Sequence, residues 1–207
     1  MQRKIKLEYV ILVLLFLFVL AFRLFFTFRY GHFNTDDAYF HLRHIEYIIE
    51  NHSLLYFDEL SFEGRFIFYP PLFHVIMAFV SFGSMFMLKF VPELLFALTV
   101  FIVYAIAKEI SGNDYSALFA AALSAFIPML FRETLNNLSV YSFVVPLLLL
   151  MFYCISKLDN KKYLWIFVIT SFILPLIHPS ALIFVIAIIL YLLLISGGAL
   201  IPTRIKK

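Results

Sequence analysis

Long apolar runs constrain this sequence more than any other feature. The first covers residues 9–28, and five later runs lie at 91–107, 115–131, 138–156, 163–178 and 180–201. An α-helix needs about 20 predominantly apolar residues to cross the hydrocarbon core of a bilayer. Hydrophobic residues make up 64% of the chain, which is more than a soluble domain of this size can bury. The sequence therefore predicts an all-α polytopic membrane protein.

The basic residues indicate how the chain crosses the membrane. A further apolar run, 71–87, is short and begins beside a pair of prolines, so it either spans the membrane or lies on its surface. If it spans, Lys157 and Lys161 fall outside, against the positive-inside rule. If it lies on the surface, most basic residues that flank the runs fall in the cytoplasm. Those residues are Arg3, Lys4, Lys6, Lys108, Lys157, Lys161, Lys162, Arg204, Lys206 and Lys207.

Surface placement of 71–87 leads to one prediction for the whole chain. We expect a single transmembrane domain, 1–207, with about six spans, both termini cytoplasmic and no separate soluble domain. The protein would be an integral, multi-pass protein of the plasma membrane or an ER-type membrane. A large first outer loop, 29–90, would hold an amphipathic helix at 36–51 and a short helix at 71–87, and a second outer loop would lie at 132–137. Every histidine then lies at or near the outer side, so the polar chemistry faces outward.

The segment NTDDAYFHLRH, residues 34–44, holds the densest polar chemistry of the predicted first outer loop. Thr35 is predicted to cap a helix whose first turn carries two carboxylates, which suit the positive end of the helix dipole. Asp37, His41 and His44 lie within about 60° on one side of that helix. Arg43 is expected to point into solvent. The apolar stripe of this amphipathic helix consists of Ala38, Leu42, Ile45 and Ile49.

Two interpretations of this polar side are open. A carboxylate with a histidine four residues later, as at Asp37 and His41, can ligate a divalent metal or form an acid–base pair. Alternatively, the carboxylates only stabilise the start of the helix, and the histidines pack at the membrane interface. The spacing alone does not distinguish a metal site from a structural role.

The order of these segments resembles that of the GT-C membrane glycosyltransferases. The stretch DAYFHLR, 37–43, follows the first span and is similar to an Asp-x-Tyr-x-His-x-Arg-type segment of that superfamily. YPPLFH, 69–74, opens the short outer helix, and NNLSVYSFVVPLLLL, 136–150, and LIHPSALIFVI, 176–186, resemble later segments. The chain looks most like the N-terminal transmembrane half of the oligosaccharyltransferase catalytic subunit in its archaeal and bacterial single-chain forms. The likeness extends over roughly residues 8–200.

This resemblance implies a transfer reaction on the outer face. A sugar or glycan would pass from a polyprenyl phosphate or pyrophosphate carrier, and Mg²⁺ or Mn²⁺ would stabilise the departing phosphate. Asp37 takes the position of the catalytic aspartate of the first loop. Glu133 would supply a second carboxylate, and His41 would be a further metal ligand or an acceptor-side group. The candidates for substrate binding are Arg43, Arg132, His41 and His178.

The chain departs from the family pattern in two places. An Asp-x-Asp-type motif is typical of the second outer loop, but the matching positions here are Asn137 and Ser139. Glu133 either substitutes for that motif or forms a salt bridge with Arg132. The resembling enzymes also continue into further spans and a soluble domain. The alternative to an active transferase is therefore a non-catalytic membrane module that binds lipid-linked sugar, or a subunit whose partner supplies the missing C-terminal half.

Two charged residues inside apolar runs also require a role. Arg23 either extends to the membrane surface or, with Arg29, holds a lipid phosphate. Glu93 is expected to start a span and to suit its dipole. The sequence has no nucleotide-binding loop and no nucleic-acid-binding face, so the expected partners are the lipid-linked donor and membrane lipid.

Overall fold

The chain folds into a bundle of α-helices with one short two-stranded sheet, as seen in a computed structural model. The structure describes residues 7–60 and 63–198, apart from the side chains of 180, 181, 184, 192 and 195–198. The basic residues predicted to flank both termini lie outside this part. The elements in chain order are α1 (Leu7–Arg29), α2 (Asp36–Asn51), β1 (Phe57–Asp58), β2 (Arg65–Phe66), α3 (Leu72–Ser81), α4 (Met85–Ala97), α5 (Thr99–Ser111), α6 (Asp114–Ser124), α7 (Pro128–Thr134), α8 (Tyr141–Ile155), α9 (Lys161–Ile177) and α10 (Ser180–Gly198).

Helix α1 is apolar along its length and packs on one side against α4, α5 and α6. Leu12 and Val19 are buried in a cluster with Ala117 and Ala121 of α6. These small alanine side chains allow the helix backbones to approach closely, as is common between membrane helices. The other side of α1 leaves large side chains such as Phe25 exposed, which suits a lipid environment.

Among the described residues, two helical segments are long and apolar enough to cross a membrane, Leu7–Arg29 and Met85–Ser111. A third candidate is the pair Asp114–Ser124 and Pro128–Thr134, which is bent by 50°. Helix α8 has 15 residues and α9 has 17, fewer than the approximately 20 that a span needs. The described helices therefore support membrane association, and about six spans stays a prediction.

The helix predicted at 36–51 is present as α2, with the predicted bounds. Its apolar stripe packs into the largest hydrophobic core, where Ala38 and Ile45 are fully buried against Phe73 and Met77 of α3. The run 71–87 does contain a short helix, but that helix ends at Ser81. Phe82 and Gly83 adopt left-handed backbone conformations, which end α3 and turn the chain into α4.

Three other predicted boundaries differ from those of the helices. The span predicted at 91–107 begins earlier, because α4 starts at Met85 directly after this turn. The run 115–131 is broken between Ser124 and Pro128, since proline lacks the amide hydrogen of a helix interior and favours a helix start. The second loop also starts later than position 132, because α7 continues to Thr134.

Charged residues at one end of the bundle join the turns that follow α5 and α8. Lys108 pairs with Asp114 at 2.5 Å, and Lys157 pairs with Glu109 at 2.6 Å. The start of α1 lies at this end too, with Lys108 over the ring of Tyr9 at 5.5 Å. The other end of α1 lies beside α4 and α7, so α1 runs antiparallel to the segment Met85–Ser111.

A buried ion pair fixes that other end and corrects the interpretation of both charged residues. Arg23 is 0% exposed and donates to Glu93 at 2.6 Å and to the Thr134 hydroxyl at 2.9 Å. Glu93 also accepts from the Thr27 hydroxyl and from the Asn136 backbone amide, both at 2.7 Å. Arg23 therefore neither extends to the surface nor holds a lipid phosphate, and Glu93 is not at a helix start. Together they clamp α1, α4 and the loop after α7.

Candidate functional site

The residues with candidate chemistry surround one cavity of about 410 Å³, which we call the polar cavity. Asp37 and His41 of α2 line it on one side, and Glu133 of α7 and His178 after α9 line it on others. Arg65 of β2 completes the set. Four of the six residues predicted as site residues from sequence are thus brought together, although they come from three distant segments of the chain.

Hydrogen bonds between two loops place α2 beside α7. The backbone amide of Asn34 donates to the carbonyl of Asn136 at 3.1 Å, and its side-chain amide donates to the Leu135 carbonyl at 3.0 Å. The Thr35 hydroxyl donates to Asn137 Oδ1 at 2.7 Å. Thr35 occupies the N-cap position of α2 but forms no side-chain cap, so its predicted role is only half correct. Its hydroxyl instead connects the two loops that border the polar cavity.

Asn137 and Ser139, the positions compared above with the Asp-x-Asp-type motif of the GT-C enzymes, also line the cavity. Asn137 donates its side-chain amide to the Glu133 carbonyl at 3.0 Å, which holds the end of α7 against the loop. Ser139 accepts a hydrogen bond from the Tyr141 backbone amide at 3.2 Å, at the start of α8. Both residues therefore shape the wall of the cavity through hydrogen bonds to the backbone.

The histidines of α2 form a cluster with His74 of α3. His41 Nδ1 lies 2.9 Å from His74 Nε2, and the rings of His44 and His74 have centroids 5.0 Å apart. Burial, together with the neighbouring imidazoles, lowers the pKa of His41 to about 4 and that of His74 to about 3. Burial also lowers the pKa of His44, so all three rings are neutral near pH 7. Because Nδ1 of His41 is bonded to His74, Nε2 is the ring nitrogen of His41 that can form a further hydrogen bond.

The two arginines predicted to bind substrate are placed elsewhere. Arg43 does not point freely into solvent, because it forms an ion pair with the buried carboxylate of Asp58. The Arg132 side chain is 87% exposed and lies 3.9 Å from the Glu133 carboxylate, outside the lining of the cavity. Neither arginine lines the polar cavity, although both lie close in sequence to residues that do.

Arg65 is the cationic residue that the sequence interpretation missed. It lies in the two-stranded sheet, where Asp58 pairs with Arg65 and Phe57 with Phe66. Among the described residues the guanidinium of Arg65 has no hydrogen-bond or ion-pair partner. The left-handed conformations of Glu63 and Gly64 form the tight turn that directs this strand. A Glu-Gly-Arg turn in the first loop was the available sequence signal.

The carboxylates fit one kind of metal better than another. Within the described part of the chain, no group of three or more His, Cys, Asp and Glu side chains is arranged to hold a metal ion. An all-protein zinc site is therefore not supported. Asp37 and Glu133 both line the polar cavity, and carboxylates are the protein ligands through which Mg²⁺ and Mn²⁺ bind, with water and phosphate completing the shell.

A second depression, the apolar groove, adjoins the polar cavity and has a volume of about 450 Å³. The two share Tyr69, and the bond between His41 and His74 lies between them, since His41 lines the cavity and His74 lines the groove. The remaining lining is His44, Ile48, Leu54, Leu55, Tyr56, Ile67, Phe68, Pro70, Pro71 and Pro179.

These features define a helical protein with apolar helices able to cross a membrane and a polar cavity at one end of the bundle. The chain belongs to the family of unknown function DUF6541, whose sequence profile matches residues 3–205. No curated protein and no solved structure matches the chain.

Proposed function

We propose that this protein is a GT-C-type, oligosaccharyltransferase-like glycosyltransferase of the membrane. The polar cavity would bind the head group of a polyprenyl phosphate- or pyrophosphate-linked sugar, and the sugar or glycan would be transferred to an acceptor on the outer face. The observation that supports the proposal is the arrangement of Asp37, Glu133 and Arg65 around one cavity. A phosphate-linked sugar needs both a cation for the phosphate and carboxylates for a divalent ion.

In the proposed reaction, the bond between the anomeric carbon and the phosphate oxygen breaks, and the phosphate leaves with the electron pair. A new bond forms between that carbon and the acceptor, which releases a proton. Arg65 would bind the phosphate through charge-assisted hydrogen bonds and offset its growing negative charge. Asp37 and Glu133 would hold Mg²⁺ or Mn²⁺, which supplies further charge stabilisation when bound.

The histidines would serve the acceptor side of the cavity. His41 remains neutral because of its burial, so its Nε2 can form a hydrogen bond with the acceptor or take up the proton that transfer releases. His178 packs against Tyr141 with ring centroids 5.5 Å apart and would shape the opposite wall. Arg43 and Arg132 have no part in this proposal, since neither lines the cavity.

The substitution Asp37→Asn provides the sharpest test. The full chain is reconstituted in nanodiscs with a polyprenyl phosphate-linked sugar and Mn²⁺, water serves as the acceptor of the sugar, and release of polyprenyl phosphate is measured. Asp37→Asn should lower the rate at least about 100-fold, because it removes a charged group from the transition-state environment. Asp36→Asn is the matched control, since Asp36 lies in the same helical turn but outside the lining of the cavity. Equal rates for the two variants would refute the proposal.

The proposed orientation has its own test. Both termini would be cytoplasmic and the polar cavity outward in a plasma or ER-type membrane, with about six spans. Glu46 on α2 and Lys161 at the start of α9 are exposed, so single cysteines there report on the two sides. In a Cys154→Ser background, an impermeant maleimide should label position 46 from outside and position 161 only after permeabilisation. Labelling of both from one side would contradict this topology.

A second candidate function is supported by the chemistry of the second loop. Asn137 and Ser139 replace the acidic motif, and neither is a strong metal ligand. The chain would then be a non-catalytic module that binds lipid-linked sugar, alone or with a partner subunit. Saturable binding of the donor that depends on Arg65, without release of polyprenyl phosphate, would favour this candidate over the transferase.

A further inference from the structure

Arg65 reaches the polar cavity from a very small hairpin. Strands β1 and β2 have two residues each, and a two-stranded hairpin on its own is at best marginally stable in water. The backbone amide of Ile67 donates to the Tyr56 carbonyl at 2.8 Å, which extends the pairing by one hydrogen bond. The position of Arg65 therefore depends on contacts between this hairpin and the helices.

One of these contacts is the ion pair between Arg43 of α2 and Asp58 of β1. Asp58 is 4% exposed, and one of its carboxylate oxygens accepts a hydrogen bond from Arg43. The other oxygen accepts from the backbone amide of Leu60 at 3.0 Å, so both oxygens of the carboxylate are held. Arg43 lies two residues after His41, and the ion pair therefore fastens the hairpin to the part of α2 that borders the polar cavity.

The strand register connects this ion pair with Arg65. Asp58 and Arg65 lie directly opposite each other in the antiparallel pair, and residues in that relation extend their side chains from the same face of a sheet. Phe57 and Phe66 form the other opposite pair, and their rings lie 5.2 Å apart on the exposed face. The Arg43–Asp58 pair therefore holds against α2 the same face of the hairpin that presents Arg65 to the cavity.

We propose that Arg43 and Asp58 are positioning residues that hold Arg65 at the polar cavity. Arg43 does not touch a ligand in the cavity, because it acts through Asp58 and the strand pair. Loss of the ion pair releases this face of the hairpin from α2, and Arg65 then leaves the lining of the cavity. The binding of phosphate by Arg65 rests on the proposed function, whereas the position of the hairpin does not.

The position of the hairpin is measured without any ligand. Spin labels are attached at exposed positions through Glu50→Cys on α2 and Glu59→Cys directly after β1, in a Cys154→Ser background. Neither position takes part in the ion pair or in the strand pairing. Double electron–electron resonance of the full chain in nanodiscs should give one narrow distance distribution, because the ion pair fixes the hairpin on α2.

Four variants are compared on this background. Arg43→Gln and Asp58→Asn should each broaden the distance distribution, and Arg43→Lys, which retains the charge, should broaden it less. Arg132→Gln is the matched control, since it also removes one positive charge but from an exposed side chain outside the cavity, and the distribution should stay narrow. Unchanged imidazole ¹⁵N resonances of His41 and His74 show that α2 and α3 remain packed in each variant.

Binding of farnesyl phosphate, followed by ³¹P spectra, separates positioning from a direct electrostatic effect of Arg43. If Arg43 attracted the phosphate by its own charge, Asp58→Asn would strengthen binding, because it removes a neighbouring negative charge. Positioning predicts the opposite sign, so Asp58→Asn and Arg43→Gln should both weaken binding. The loss should approach the one expected for Arg65→Gln, about 10-fold, which corresponds to one charge-assisted hydrogen bond.

A double variant tests whether Arg43 acts through Arg65. Arg43→Gln combined with Arg65→Gln should bind farnesyl phosphate no more weakly than Arg65→Gln alone, whereas independent effects would multiply. A narrow distance distribution in Arg43→Gln, tighter binding in Asp58→Asn or multiplied losses in the double variant would each overturn the proposal. If the unmodified chain failed to bind farnesyl phosphate, the proposed function would be contradicted, and the distance measurement alone would decide whether the ion pair positions the hairpin.

Discussion

Replacing Glu93 with glutamine tests whether the buried ion pair organises the bundle beneath the polar cavity. Glu93 is 1% exposed and accepts from Arg23 Nε at 2.6 Å and from the Thr27 hydroxyl and Asn136 amide at 2.7 Å. Glutamine keeps an oxygen for the last two bonds but leaves Arg23 as an uncompensated buried charge. Breaking a buried pair in this way costs about 3–5 kcal/mol, and we expect the lower end of that range.

The assay is thermal unfolding of the purified chain, followed by circular dichroism. For a chain of this length, a loss of about 3 kcal/mol corresponds to a midpoint lowered by about 6–12 °C. Glu109→Gln is the control, since Glu109 is likewise in an ion pair, with Lys157, but both of these side chains are partly exposed. That variant should leave the midpoint unchanged, because exposed ion pairs contribute little.

A second variant distinguishes loss of the pair from simple loss of side-chain packing. Arg23→Met combined with Glu93→Gln removes the uncompensated charge and retains acceptors for Thr27 and Asn136. The double variant should therefore recover most of the lost stability. A midpoint for Glu93→Gln within 2 °C of the unmodified chain would refute the argument. So would a double variant whose loss equals the sum of the two single losses.

The remaining predictions concern the cavity and its surroundings. The pKa of His41 is lowered to about 4 and that of His74 to about 3, so between those values and about pH 6.5 the unfolded chain binds more protons than the folded chain. The free energy of unfolding should therefore fall as the pH is lowered from 7 to 5. Equilibrium unfolding measures this, and the His74→Phe variant should show a shallower dependence of that free energy on pH. Gly64→Ala should destabilise the hairpin by about 1–3 kcal/mol, because Gly64 has a φ of +70° and a Cβ there would lie 2.6 Å from the Phe57 ring. Amide hydrogen exchange of the two strands measures this loss, and unchanged protection would contradict the placement of Phe57 against Gly64. Mn²⁺ should broaden the ¹⁵N resonances of His41 at micromolar concentration and broaden them much less in Asp37→Asn, and equal broadening in both would exclude Asp37 as a metal ligand.

Local signals were sufficient to predict α2 and most of its surface. Two carboxylates after Thr35 and an apolar stripe with helical spacing mark its start and its buried side, and the structure has these bounds. The break after Ser124 was equally visible, because Pro128 interrupts an otherwise continuous apolar run. Hydropathy alone does not reveal the break, because a single proline leaves the run apolar.

The partners of charged residues could not be read from the sequence. Arg23 and Glu93 are 70 positions apart, and only the packing of α1 against α4 brings them together. The same holds for His41 and His74, which meet because α2 and α3 pack side by side. The position of Arg65 at the polar cavity could not be predicted, because it depends on a two-residue strand that has no hydropathy signal. The set of side chains that line the polar cavity therefore depends on tertiary packing. Only the pairing of Asp37 with His41 on α2 could be predicted from local sequence spacing.

The most direct test of the central proposal is a time course of ³¹P spectra. A polyprenyl phosphate-linked sugar is added with Mg²⁺ to the full chain in nanodiscs, where water serves as the acceptor of the sugar, and the signals of the bound donor and of free polyprenyl phosphate are followed. We predict a shifted donor signal that decays as the free phosphate signal grows, with no decay in Asp37→Asn and no shift in Arg65→Gln. An unshifted donor signal in the unmodified chain, or identical spectra for all three proteins, would contradict the proposal that the polar cavity is a glycosyl-transfer site.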